Sequence, residues 1–247
     1  MRQEPHFYAV IIGSEILDRR REDKHFEYLS QALKTKGFTL FASFLIKDDA
    51  ELITKTYTLI KEDPKAIMFS FGGIGSTPDD LTRQLSADVF SDARLYRHPQ
   101  FEKDIIKRLG ERAYPHPIKM SDLPKEAGLL HNPVNNMSGF HLHTKYFFMP
   151  GFPQMAHPMI DEIVATYLPQ STRTYTKRFI AQVGEGRLTH LMMDVPSEIE
   201  LSSLPMMNEL QASVEFSLSA KDEALMSRYF TLFIDFLESE EIEYRLL

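Results

Sequence analysis

Apolar and polar residues alternate in long blocks through the first part of the chain. Phe7-Tyr8-Ala9-Val10-Ile11-Ile12 is an unbroken apolar run, the pattern of a strand covered on both faces. Gly13-Ser14-Glu15 ends it. From Lys24 to Lys36, Phe26, Leu29 and Leu33 recur at helical spacing, and Gly37 stops that helix. A second strand is predicted over Phe38 to Ile46. Asp48 and Asp49 open a helix with Leu52, Ile53, Tyr57 and Ile60 on one side, and a third strand runs from Ala66 to Phe71. This β-α-β-α-β order predicts an α/β fold, a three-layer, mostly parallel sheet flanked by helices and joined by right-handed crossovers. Ligands in such sheets bind beyond the carboxyl ends of the strands, where Gly13 to Glu15, Asp48 and the segment after Phe71 all fall.

Further along, Arg97 to Arg112 reads as a helix, and Tyr114 to Pro133, with four prolines, as mostly loop. Phe140 to Met149 reads as two short strands around Thr144-Lys145. His141 and His143 share a strand face there, either a wet hairpin face or a metal-binding pair. Pro150-Gly151-Phe152-Pro153 turns into a helix from Gln154 to Tyr167, with His157 expected at its surface. Pro169 to Thr176 is polar and reads as a linker. Beyond it come a strand at Phe179 to Val183, a short helix from Arg187 to Met193 and a strictly alternating strand from Leu210 to Leu218. A helix from about Ala220 to Glu238 follows, with Ser219 as cap and Leu225, Tyr229, Leu232, Phe233 and Phe236 inward; Tyr244 to Leu247 is a last strand. The expected division is residues 1–170 as the α/β domain and 171–247 as a small α+β domain for packing or oligomerisation.

The densest chemistry lies in Phe69-Ser70-Phe71-Gly72-Gly73-Ile74-Gly75-Ser76-Thr77-Pro78-Asp79-Asp80-Leu81-Thr82. A buried strand ends in closely spaced glycines, which let the main chain turn sharply and approach a ligand. A helix is predicted next, with Thr77 as N-cap, Pro78 at the first helical position and Asp80 as capping-box partner. That start, read alone, is simple capping. Read with the glycines, it is a cradle for an anion at a helix N-terminus. Two adjacent carboxylates would repel a phosphate, so the second reading requires a divalent cation, most naturally Mg²⁺.

Composition narrows the functional classes. The 247 residues are 43% hydrophobic and 26% charged, a globular balance. With 28 basic against 35 acidic residues and a formal charge of −7, a nucleic-acid backbone binder is disfavoured. The absence of cysteine excludes disulfides and thiol catalysis. No apolar run is long enough to span a bilayer, and the charged N-terminus runs straight into a strand, so neither a membrane nor a signal peptide is expected and the location is read as cytoplasmic.

The segment Gly72 to Thr82 resembles the Gly-Gly-x-Gly-x-Thr-x-Asp-Asp-Leu-Thr signature of the MoaB/MogA-type molybdopterin-binding domain, in the version found at the N-terminus of CinA-like proteins. Gly13-Ser14-Glu15-Ile16-Leu17, Asp48, Asn132-Pro133-Val134, Gly139-Phe140 and Pro150-Gly151-Phe152-Pro153-Gln154-Met155 match further family elements in order, over about residues 7 to 168. Residues 171–247 resemble, more weakly, the small domain that follows in CinA-like proteins. The full-length proteins' C-terminal deamidase domain has no match here, so that activity is not carried over. The resemblance implies a phosphorylated small-molecule ligand, either molybdopterin or a nucleotide whose pyrophosphate is hydrolysed, as in ADP-ribose or FAD. It implies Asp48 and Asp80 as ligands of Mg²⁺, Co²⁺ or Mn²⁺, with Asp79 positioning the cation or a water. The ligand set would be Gly13, Ser14, Glu15, Gly72, Gly73, Gly75, Ser76, Thr77, Asn132, Pro133, Gly151 and Pro153; Glu15 reads equally well as a helix-start residue. Homo-oligomerisation is expected. Four departures stand out: Asp23-Lys24-His25 replaces Asp-Thr-Asn, Pro117-Ile118-Lys119-Met120 replaces an Asn-Asn-x-x-Gln motif, Ser76 replaces proline and Phe71 replaces threonine. They leave open a non-catalytic, ligand-binding or regulatory protein.

Overall fold

The computed structural model describes residues 4–169, 174–208 and 211–247. It divides into two compact units, Met1–Gln170 and Ser171–Leu247. The first is built on strands β1 (His6–Ile12), β2 (Leu40–Ile46) and β3 (Ala66–Phe71), connected by α1 (Ser14–Leu17), α2 (His25–Thr35) and α3 (Ala50–Glu62). Then come α4 (Thr82–Phe90), β4 (Leu95–Arg97), α5 (Pro99–Leu109), β5 (Asp122–Pro124), β6 (Gly128–Leu130), β7 (Gly139–Leu142), β8 (Tyr146–Met149) and α6 (Pro153–Thr166). The main sheet has the order β2-β1-β3-β8-β7-β6. Strands β2, β1, β3 and β8 are parallel, and β7 and β6 continue the sheet antiparallel. The expected mostly parallel α/β sheet is therefore found, with an antiparallel edge.

Strand β1 shows why its apolar run is unbroken. Tyr8, Val10 and Ile12 pack with Ile53, Tyr57 and Ile60 of α3 and with Phe101 and Ile105 of α5. Phe7, Ala9 and Ile11 pack on the other face with Leu29 and Leu33 of α2 and Met159, Ile160 and Ile163 of α6. Neither face can be polar, because a helix layer covers each. The parallel strands end on one edge of the sheet, which brings the segments after Ile12, Ile46, Phe71 and Met149 together.

The second unit is an antiparallel sheet of order β10-β11-β9-β12, formed by β9 (Tyr175–Ala181), β10 (Glu200–Asn208), β11 (Gln211–Ala220) and β12 (Tyr244–Leu246). It also carries the short α7 (Thr189–Met193) and the longer α8 (Glu223–Ser239). Phe179, Phe216, Phe230 and Phe233 lie in its core. Three expectations need correcting. Strand β10 was not foreseen. Helix α8 is capped by Asp222, which accepts from the Leu225 N–H at 2.9 Å, and not by Ser219. Its buried residues are Met226, Phe230, Phe233 and Leu237, whereas Leu232 is 44% exposed. The expected linker partly, and Leu210 wholly, lie outside the described residues. Among those described, no helix is long and apolar enough to cross a membrane.

Candidate functional site

A cleft of about 540 Å³ opens beyond the carboxyl ends of β1, β2, β3 and β8. It is lined by Ile12 and Glu15, by Asp48, by Gly72 through Thr77 with Asp79 and Asp80, and by Pro150, Gly151 and Phe152. Arg21, Phe101, Met120, Asn135, Met137, Ser138 and Met155 complete the wall.

The glycine turn is its floor. Gly72 and Gly73 have φ of +100° and +68°, and a Cβ on Gly72 would sit 2.5 Å from the Ile12 carbonyl oxygen. A side chain is therefore excluded by both backbone conformation and space. Helix α4 then holds the turn from behind. The Thr82 hydroxyl donates to Gly72 O (2.9 Å), the Thr82 N–H to Gly73 O (3.0 Å), and Arg83 Nη1 to Ile74 O (2.9 Å) and to Gly75 O. Four successive carbonyls are thus tied to the first residues of one helix. These peptides are trans. In a trans peptide the N–H points opposite to the carbonyl of the same plane. The N–H groups of Gly73, Ile74, Gly75 and Ser76 consequently point away from α4, and none has an acceptor among the described residues. Unpaired amides of this kind are donors of the sort an anion-binding turn offers.

The helix start predicted at Thr77 is not there. Helix α4 begins at Thr82, and no side chain caps it. The Asp80 carboxylate instead accepts from the Thr77 N–H (2.8 Å) and hydroxyl (2.6 Å), closing a turn ahead of the helix. Local turn chemistry outcompetes the capping pattern. The amides of the cradle come from the loop itself, not from a helix end. The Thr77 hydroxyl also reaches Asp79, which lies exposed at the rim, and holds its carboxyl below the usual carboxylate range.

Asp48 comes into the cleft because Asp49, not Asp48, caps α3, accepting from the Leu52 N–H at 2.8 Å. Asp48 Oδ2 accepts from the Ser14 N–H (2.8 Å) and hydroxyl (3.0 Å). Asp48 and Asp80 therefore share one pattern. One oxygen of each is engaged by the N–H and hydroxyl of a single residue, and the other has no donor among the described residues. Asp48 and Asp80 thus each bring to the cleft one carboxylate oxygen with no protein donor, the hard kind of oxygen that a divalent cation such as Mg²⁺ takes. Among the described residues, no group of three or more His, Asp or Glu side chains forms a fuller metal cage. His141 and His143 are not such a pair. His143 lies past the end of β7, bonded to Phe90 O at 2.9 Å, and His141 meets the Tyr167 hydroxyl at 3.2 Å.

Of the residues expected at the site, Glu15, Asp48, Gly72, Gly73, Gly75, Ser76, Thr77, Asp79, Asp80 and Gly151 line one cleft. Gly13, Ser14, Asn132, Pro133 and Pro153 do not. Ser14 stands behind Asp48. Asn132 is buried and shapes the loop that supplies Asn135, Met137 and Ser138, through bonds to Asn135 Oδ1 (2.7 Å), Met137 O (3.0 Å) and the Val134 N–H (3.1 Å). Pro133 is exposed, and Pro153 opens α6. Sequence reasoning overlooked Arg83, which is 9% exposed, and Arg21, which faces Glu15 at 3.6 Å. His25, at a departure from the family pattern, lies buried below the cleft. It stacks on Phe71 with ring centroids 4.4 Å apart, its Nε2 is 3.3 Å from Gly151 O, and burial pushes its pKa down.

Comparison with known proteins follows the same outline. A family model described as "Probable molybdopterin binding domain" matches residues 8–170. A CinA-like protein of Acaryochloris marina is 31% identical over 182 residues, 71% of this chain and 43% of its own length. One from Geotalea uraniireducens is 25% identical over 238 residues, 90% of this chain and 56% of its own. The chain thus spans about half the length of the curated relatives it matches. A solved structure described as the protein CinA, with unknown function, from Thermoplasma acidophilum superposes with a TM-score of 0.60 at 22% identity, over 66% of this chain and 99% of that one, a likeness of fold. With its glycine cradle and flanking carboxylates on a sheet of this order, the chain belongs to the MoaB/MogA-type molybdopterin-binding domain family and has CinA-like proteins among its relatives.

Proposed function

We propose that the cleft binds the pyrophosphate of a molybdopterin- or nucleotide-type ligand together with a divalent cation, and that the reaction it suits is hydrolysis of a nucleotide pyrophosphate of the ADP-ribose or FAD kind. The supporting observation is the row of four unpaired amides, Gly73 to Ser76, fixed by the ties of their carbonyls to Thr82 and Arg83. Preorganised donors of this sort stabilise phosphate charge without having to reorganise. Asp48 and Asp80 would hold the cation, which neutralises charge on the phosphates when bound. Asp79, ionised at neutral pH, is the acceptor at the rim for orienting a water.

The test is incubation of the chain with ADP-ribose or FAD and Mg²⁺, Mn²⁺ or Co²⁺, with AMP as the readout. AMP release that is lost in Asp80→Ala is the expected result. A second reading, binding without turnover, is favoured because among the described residues no three carboxylates or histidines cluster closely enough to hold a metal ion. Tight pyrophosphate binding by calorimetry with no AMP released under any metal would establish that reading. Absence of both binding and turnover would remove the proposal altogether.

A further inference from the structure

Among the described residues that line the cleft, Glu15, Asp48, Asp79 and Asp80 are acidic and only Arg21 is basic. Arg83, the other guanidinium close to the turn, is committed to the carbonyls behind it. Arg21 is fixed at its base. Its N–H and that of Arg20 both donate to Glu15 O, at 3.1 and 2.9 Å, which folds the segment after α1 back over the start of that helix. Its head is loose. The guanidinium makes no hydrogen bond among the described residues; it lies 3.6 Å from Glu15 Oε1 and 5.3 Å from the Phe152 ring centroid. Glu15 in turn leans over Gly13, where a Cβ would lie 3.1 Å from its Oε2, and Ser14 between them carries the bonds to Asp48. The pair therefore stands beside the Asp48 carboxylate, with the Arg21 and Glu15 side chains 46% and 37% exposed. An ion pair that long and that exposed contributes little, so Arg21 gives up little by leaving it.

The charges of the cleft give Arg21 somewhere to go. A divalent cation between Asp48 and Asp80 offsets those two carboxylates. Glu15 and Asp79 remain, and they repel any phosphate that the cation does not cover. A phosphate offers two oxygens to the planar fork of a guanidinium, a closer and stronger contact than the one Glu15 makes at 3.6 Å. We infer that Arg21 sets the specificity of the cleft: it rests on Glu15 in the free protein and turns to grip the second phosphate when ligand enters, so that the site prefers a diphosphate to a single phosphate. The inference rests on the cradle reading above and adds how that site distinguishes two phosphates from one.

The experiment is calorimetry on the whole chain in Mg²⁺ with two probes, inorganic phosphate and inorganic pyrophosphate. The wild type should prefer pyrophosphate. Arg21→Gln should cut that preference on the order of tenfold, the effect of losing one hydrogen bond to a charged group. Arg21→Lys should recover only part of it, because an ammonium lacks the fork. Glu15→Gln frees the guanidinium, so it should raise pyrophosphate affinity more in the wild type than in Arg21→Gln. Equal affinity of the wild type for both probes, a preference unchanged in Arg21→Gln, weakening of both probes in equal measure, or the same gain from Glu15→Gln in both backgrounds overturns the role of Arg21 and leaves the cradle standing. If neither probe binds the wild type, the cradle reading fails and this one falls with it.

Discussion

Replacing Arg83 by Met would test how the cradle is held. Arg83 donates from Nη1 to two carbonyls of the turn, and Met has a similar apolar stem but no donor. Each bond from a charged donor contributes about 1.5–3 kcal/mol. Against this, the guanidinium is desolvated, its Nε has no partner and burial pushes its pKa down, with Asp80 and Asp122 supplying counter-charge. Burying a charge costs several kcal/mol, so the two effects largely offset and the net loss of stability should be about 1–2 kcal/mol. Ligand binding has no such offset. Without Arg83 the peptides that carry the Gly75 and Ser76 amides are no longer held. Loosening two charge-assisted bonds to a phosphate, at about 1.5 kcal/mol each when partly lost, weakens pyrophosphate roughly 100-fold. Urea unfolding measures the first quantity and calorimetry with Mg²⁺ and pyrophosphate the second. Arg83→Lys separates charge from geometry, because an ammonium keeps the charge and lacks the rigid fork; its affinity should fall between the two. Wild-type affinity in Arg83→Met, or full recovery in Arg83→Lys, would refute the idea that orientation of the peptides makes the site.

Gly72→Ala should destabilise the chain by about 2 kcal/mol or more, since its Cβ meets the Ile12 carbonyl at a positive φ; urea unfolding reads this directly. Tyr57→Phe removes a buried hydroxyl 2.7 Å from Ser70 Oγ beneath the cradle and should cost about 1 kcal/mol in urea unfolding. His25 has a folded-state pKa below its ordinary value of 6.5, so the unfolded chain takes up its proton first. Its contribution is therefore complete above pH 6.5 and is lost as pH falls from there through the lowered folded-state pKa. Subtracting the pH–stability curve of His25→Phe from that of the wild type should leave a decline confined to that side of pH 6.5.

What could be read from the sequence was what repeats or what only one residue type can satisfy. Strand β1 was legible because helix layers on both faces force six successive apolar residues, and the turn because no side chain fits at Gly72. Strand β10 was not. It contains Pro205 and two serines, and its place at a sheet edge tolerates both. The inward face of α8 was misjudged because apolar residues occupy more than one side of that helix, so spacing alone could not choose between Leu232 and Leu237. At the site, Asp48, Asp79, Asp80 and the glycines stood out as residue types. Arg83 did not, because its role depends on where α4 starts, and α4 starts four residues after the pattern at Thr77 suggests. The close approach of Arg21 to Phe152 depends on tertiary structure and leaves no trace in spacing.

A crystal structure of the chain with ADP and Mn²⁺, the metal located by its anomalous signal, tests the central claim most directly. The account predicts phosphate oxygens at about 2.7–3.1 Å from the amides of Gly73 to Ser76, with manganese between Asp48 and Asp80. Phosphate bound elsewhere, or those amides facing only solvent at saturating ligand, would contradict it.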